Sequence, residues 1–176
     1  MKKILLLGCL SIILISCSSD DSVPLSETDD LLGLWKLTEW NTETAFDINN
    51  DGIANTNLLE EIDCLDNETI TFNSSNTAFV DTSSSIDIEV FVETGTTDSF
   101  VFDVDCDFET DSFVLNWNRT ENQVFLIEED FEDEPLIAQI DGNTLTFTLN
   151  DALVVYDDNF EVEFTEDFTI VYTKQE

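Results

Sequence analysis

The chain has 176 residues and a mass of 19.9 kDa, room for one domain of ordinary size. Forty acidic residues stand against five basic ones, with net charge −35 and no histidine. That excludes histidine acid–base chemistry, histidine metal ligation and histidine-activated nucleophiles, and it sets the chain against nucleic acid as a partner. A composition 42% hydrophobic and 11% aromatic, with fourteen Phe and three Trp, still supplies a real core.

Lys2 and Lys3 precede an apolar run from Ile4 to Ile15. The run is far shorter than the roughly 20 residues of a spanning helix, so it predicts a cleaved export signal over 1–16. Leu14, Ile15, Ser16 and Cys17 resemble the lipobox of bacterial lipoproteins. That resemblance implies acylation of Cys17 as the new N-terminus and attachment to the lipid bilayer, each buried methylene contributing about 0.8 kcal/mol. The alternative is an ordinary signal peptide cut near Ser16. Ser18 in place of Asp after the cysteine implies the outer membrane, and Ser18, Ser19, Asp20 and Asp21 resemble the acidic tether that takes some lipoproteins to the cell surface. Residues 17–30 are polar, contain Pro24 and show no apolar periodicity, so they read as a flexible spacer, with the folded domain at 31–176.

The domain opens with Leu32, Gly33, Leu34, Trp35, Lys36, Leu37 and Thr38 as a strand. Asp47, Ile48, Asn49, Asn50, Asp51 and Gly52 then match the first half of an EF-hand-type calcium loop. Asp47, Asn49 and Asp51 supply oxygens, the Ile53 carbonyl and Asn55 continue the ring, and Gly52 makes the sharp turn. Leu58 stands where the bidentate glutamate belongs, but Glu60 or Glu61 can reach back if Thr56 to Ile62 forms a helical turn. Calcium is thus a candidate cofactor, with affinity of roughly 10⁻⁴ to 10⁻³ M. The plainer alternative is that Asn, Asp and Gly simply form an exposed turn.

Cys9 leaves with the signal and Cys17 is taken by lipid, which leaves Cys64 and Cys106 in an oxidising compartment. Pairing them closes a loop of about 40 residues and contributes roughly 4 kcal/mol on the chain-entropy model. Two buried free thiols are the alternative.

Beyond the loop the dominant signal is period-two alternation. Ile70 and Phe72, then Ile86, Ile88 and Val90, then Phe100, Phe102, Val104, Cys106 and Phe108 face one way, with Asp103, Asp105 and Asp107 facing the other. Phe113, Leu115 and Trp117 continue the pattern, as do Leu145, Phe147 and Leu149, then Phe160, Val162 and Phe164, and finally Phe168, Ile170 and Tyr172. Asp141 and Gly142 predict a hairpin turn. The acidic run of Glu128, Glu129, Asp130, Glu132, Asp133 and Glu134 reads as solvated surface.

Apolar-in, polar-out strands require a sandwich or a closed barrel, and closure removes the exposed edges. The expectation is an all-β antiparallel meander closing into a barrel of about 8–10 strands, with one helical turn near 56–62. Gly33-x-Trp35 resembles the opening of lipocalins and of lipocalin-like domains in bacterial lipoproteins. The resemblance implies that Trp35 packs across the closed end of the barrel. It departs from the family in its late arginine: the sole arginine, Arg119, falls in an apparent hairpin turn, leaving Lys174 as the candidate substitute.

The family implies a non-enzymatic, lipid-anchored protein that binds a small apolar or glycan ligand, or a partner protein, at the barrel mouth. A calcium-stabilised structural or adhesive module whose acidic surface engages a cationic partner is the second reading, and a carboxylate-dependent hydrolase the third. Trp35, Trp40 and Trp117 either stack on a sugar or fill the core.

Overall fold

A computed structural model describes residues 30–65, 67–97, 99–129 and 134–176. The expected signal, the lipobox with Cys17 and the spacer to residue 29 lie outside the described residues, as do Asp130, Glu132 and Asp133 of the acidic run. The alternation becomes eleven strands: β1 (Gly33–Phe46), β2 (Asn55–Asn57), β3 (Thr69–Phe72), β4 (Thr77–Thr82), β5 (Ser85–Val92), β6 (Phe100–Asp107), β7 (Asp111–Thr120), β8 (Gln123–Ile127), β9 (Leu136–Asp141), β10 (Thr144–Tyr156) and β11 (Val162–Lys174).

Eight of them close a ring, β1-β3-β4-β7-β8-β9-β10-β11 and back to β1, antiparallel at every seam. Closure follows from Trp35 pairing with Lys174 on one side and with Ile70 on the other. The interior is packed by alternate side chains, among them Trp35, Ile70, Phe72, Leu115, Trp117, Leu145 and Phe147, with Ala78 and Ala138 making room for the larger groups. Phe72 stands edge-on to both Trp35 and Trp117, with ring centroids 6.4 and 5.9 Å apart.

Strands β1, β10 and β11 continue past the barrel, and there they carry a second layer. The β5–β6 hairpin, inserted between β4 and β7, joins the far half of β10 in parallel (Val155 with Val90, Tyr156 with Phe91), while β2 pairs with the far half of β1. A separate core gathers Phe46, Leu58, Ile62, Cys64, Val90, Leu153, Val155 and Phe168, with Trp40 and Phe102 packed against it. Register shifts between Leu37 and Glu39 and between Leu149 and Leu153 mark where β1 and β10 bend from one core to the other. β6 stands at one end of the strand order, with β5 as its sole neighbour among the described residues.

The one helical turn expected near 56–62 forms as a 3₁₀ turn at Leu58–Glu60, where the Asn57 carboxamide oxygen caps Leu59 N, and residues 55–57 before it pair with β1. Other expectations are corrected. Arg119 lies within β7, not in a turn; the turn follows at Glu121 and Asn122. Phe160 belongs to the β10–β11 connection with φ 62°, and β11 runs unbroken from Val162. The strands at β4 and β8 were not expected, whereas β9 is the strand that the hairpin turn after Ile140 required. The Asp141-Gly142 hairpin forms as expected, with Asp141 paired to Thr144 and Gly142 at φ 57°.

The outer face of the β5–β6 hairpin sets like charges directly opposite one another, Asp87 facing Asp105 and Glu89 facing Asp103. Such pairs oppose strand pairing by roughly 0.2–1 kcal/mol each. Asp105→Asn is therefore expected to stabilise the fold by about that amount in low salt, as read by urea unfolding, and the gain should vanish in about 1 M salt, where charge interactions are screened within 3 Å. A gain independent of salt would point to a different cause.

Candidate functional site

At the closed end, Gly33 takes φ 120°, a region an L side chain rarely adopts. The next inward residue, Trp35, is wholly buried and donates its Nε1–H to the Leu31 carbonyl at 2.8 Å. Lys174 Nζ lies 5.8 Å over the indole and also donates to the Asp30 carbonyl. Arg119 forms an ion pair with the Asp30 carboxylate and donates to the Glu121 carbonyl. Lys174 thus supplies the cation against Trp35, and Arg119 ties the chain leading into β1 to β7. Both lie in a molecule whose only cations beyond residue 17 are Lys36, Arg119 and Lys174.

The 47–55 loop is drawn together by its own donors. Gly52 N bonds Asp47 Oδ2 (3.0 Å), Asp51 N bonds Asn49 Oδ1 (2.9 Å) and Ile53 N bonds Asp51 Oδ1 (2.8 Å). Gly52 supplies the turn with φ 90°. Glu61, not Glu60, reaches back: it is buried, and it accepts from Ile48 N (2.9 Å), Asn49 N (3.2 Å) and the Asn55 carboxamide (2.5 Å). Asp47, Asn49, Asn55 and Glu61 are therefore neighbours, with Asp51 and the Ile53 carbonyl on the same loop. Asp47 Oδ1 is buried with no hydrogen-bond partner. Among the described residues no three acidic, cysteine or histidine side chains converge tightly enough to hold a metal by themselves, so the amide and carbonyl oxygens belong to any donor set. Cys64 and Cys106 are joined in a disulfide, Cα atoms 5.9 Å apart, which fastens the chain after the loop to β6.

At the open end the barrel meets the second layer, and a cleft of about 180 Å³ lies along the seam. Leu37, Glu68, Ile170 and Tyr172 line it from the barrel; Trp40, Leu65, Ser84 and Ile86 line it from beyond. Glu68 is 5% exposed. Its Oε1 accepts from Ser83 N and Ser83 Oγ, both at 2.9 Å, and among the described residues nothing donates to Oε2. Trp40 Nε1 is buried without an acceptor while its ring packs edge-on to Phe168, centroids 5.0 Å apart. Burial, and secondarily the Glu68 charge, push the Tyr172 phenol up to about 12.

The sequence reading missed Glu68, although residues 68, 70 and 72 share one strand parity and an acid in an apolar row is itself a signal. It also missed Glu166, buried on the row of Phe168 and Ile170, whose carboxylate takes Glu43 N and Thr44 N at 3.0 Å and the Thr44 hydroxyl. Comparison with protein-family models, curated proteins and solved structures finds no match.

Tyr172 gives a pH test. An unfolded phenol ionises near its ordinary value of 10 whereas the folded one keeps its proton to about 12, so the native state binds the extra proton in that window. Stability is expected to be insensitive to this group below pH 10 and to fall between 10 and about 12. Urea unfolding across that range should show Tyr172→Phe losing stability less steeply than the parent. Identical slopes would mean the phenol is not held in its neutral form.

Proposed function

We propose that the chain is a non-enzymatic, lipid-anchored module of the outer membrane. In this reading its barrel is a filled scaffold, and its acidic second layer, stiffened by calcium at the 47–55 loop, engages a cationic partner. The observation that carries this over carriage of an apolar or glycan ligand is the barrel interior, occupied from wall to wall by Trp35, Phe72, Trp117, Leu145 and Phe147. A lipocalin-type carrier needs that space empty.

Calcium is supported by the chemistry of the donors: Asp47, Asn49, Asp51, the Ile53 carbonyl, Asn55 and Glu61 present hard oxygens of the kind it takes. The unpartnered Asp47 Oδ1 is the atom a cation would satisfy. Hydrolase chemistry finds less support. The buried carboxylates Glu61, Glu68 and Glu166 already accept backbone N–H donors, as structural anchors do. The anchor and its address rest on Lys2, Lys3, the apolar run and Leu14 to Cys17.

Two measurements test this reading. Thermal unfolding of the protein in calcium, against magnesium at matched ionic strength, should show a larger shift with calcium, about 2.7 kcal/mol at one hundred times the dissociation constant. Asp47→Asn, which retains an oxygen for Gly52 N, should abolish the difference; equal responses to both ions would reduce the loop to a turn. Separately, the full-length chain should fractionate with membranes and Cys17→Ser should release it. Retention of that variant would rule out the acyl anchor.

A further inference from the structure

The seam cleft has a chemistry that neither the scaffold nor the calcium loop uses. A carboxylate facing an apolar interior without a cation is unusual, because an ionised group out of water is stabilised only by donors or by an opposite charge. Glu68 comes close to this: the residue is 5% exposed, Ser83 engages one oxygen, and the other, with no donor among the described residues, is the part left open to water. Among the described residues no cation lines the cleft. Arg119 and Lys174 are committed to the closed end, on Asp30 and Trp35, while Lys36 points out of the barrel from between the inward Trp35 and Leu37. Beside Glu68 stand two aromatic rings, Trp40 and Tyr172, with aliphatic walls from Leu37 and Ile170.

Each of these features asks something of an occupant. A fixed negative charge among aromatic faces suits an organic cation, which gains both Coulombic and cation–π attraction where water is thinned out. The aliphatic walls suit alkyl groups on that cation and disfavour a fully hydrated metal ion. A volume of about 180 Å³ limits the occupant to a small molecule. The net charge of −35 also gathers cations from solution.

We propose that the cleft between the barrel mouth and the second layer binds a small alkylated ammonium compound, with Glu68 neutralising the charge and the rings of Trp40 and Tyr172 lying against the alkyl groups. The site stands apart from the calcium loop, so this inference does not depend on the calcium reading.

Choline is the probe, and 3,3-dimethylbutan-1-ol, which replaces its nitrogen by carbon, is the neutral control. Both are titrated into the protein with tryptophan emission as the readout, at constant ionic strength set with sodium chloride. Saturable binding of choline is expected, with the carbon isostere at least about tenfold weaker. Glu68→Gln, which keeps an oxygen for Ser83, should weaken choline at least about tenfold and leave the isostere unchanged. The proposal is overturned if choline does not saturate, if its isostere binds equally well, or if Glu68→Gln binds choline as the parent does while remaining folded by circular dichroism.

Discussion

Three strands are longer than the barrel requires, and the rest of the molecule is arranged around that excess. β1 has 14 residues and β10 and β11 have 13 each, against four in β3 and five in β8. Their near halves wall the barrel; their far halves are the platform on which β2, β5 and β6 assemble. Ile170, on β11, packs against both cores. Because the same hydrogen-bonded ladder crosses the boundary, neither core can be opened without loosening strands that serve the other, and the two behave as one cooperative unit. The bulges in β1 and β10 supply the bend, and Glu166 on β11 holds β1 at residues 43 and 44 just where it turns over the second core.

Charge scarcity shapes the interior as much as hydrophobicity does. With three cations beyond residue 17, the chain cannot neutralise its buried acids by ion pairing. Glu61, Glu68 and Glu166 instead receive backbone N–H groups, and each sits at a place where the chain leaves regular pairing: the calcium-type loop, the approach to β5 and the bend of β1. Irregular backbone has unsatisfied donors, and a carboxylate is the strongest acceptor available to them. The two ends of the barrel divide the labour accordingly. The closed end carries Arg119 and Lys174 and is fully satisfied; the open end carries Glu68 and an unpaired indole.

The barrel was legible because alternation in β7, β10 and β11 is strong, and the same pattern in β6 announced the second layer's hairpin. The reach of Glu61 to the loop could also be seen, since the loop lacked its own glutamate at residue 58. Short strands such as β4, with only Ala78 and Val80 inward, offered too few apolar positions to stand out. The parallel pairing of β10 with β5 could not be read at all, because it joins residues more than sixty positions apart through backbone bonds that leave no side-chain signature. Glu68 and Glu166 were hidden by their own abundance: among forty acids, two on the inward parity look like the rest until burial is known. The unsatisfied indole of Trp40 depends on what surrounds it, which composition cannot express.

The flank of β6 that no described residue pairs leads somewhere else. An exposed strand edge normally invites another strand. Here a second β6 arriving in antiparallel register would lay its own Asp103, Asp105 and Asp107 against those of the first, extending an already repulsive ladder. In dilute medium the edges keep their distance. In brine the same edges lose most of their mutual repulsion, so salinity itself would set how closely neighbouring copies crowd.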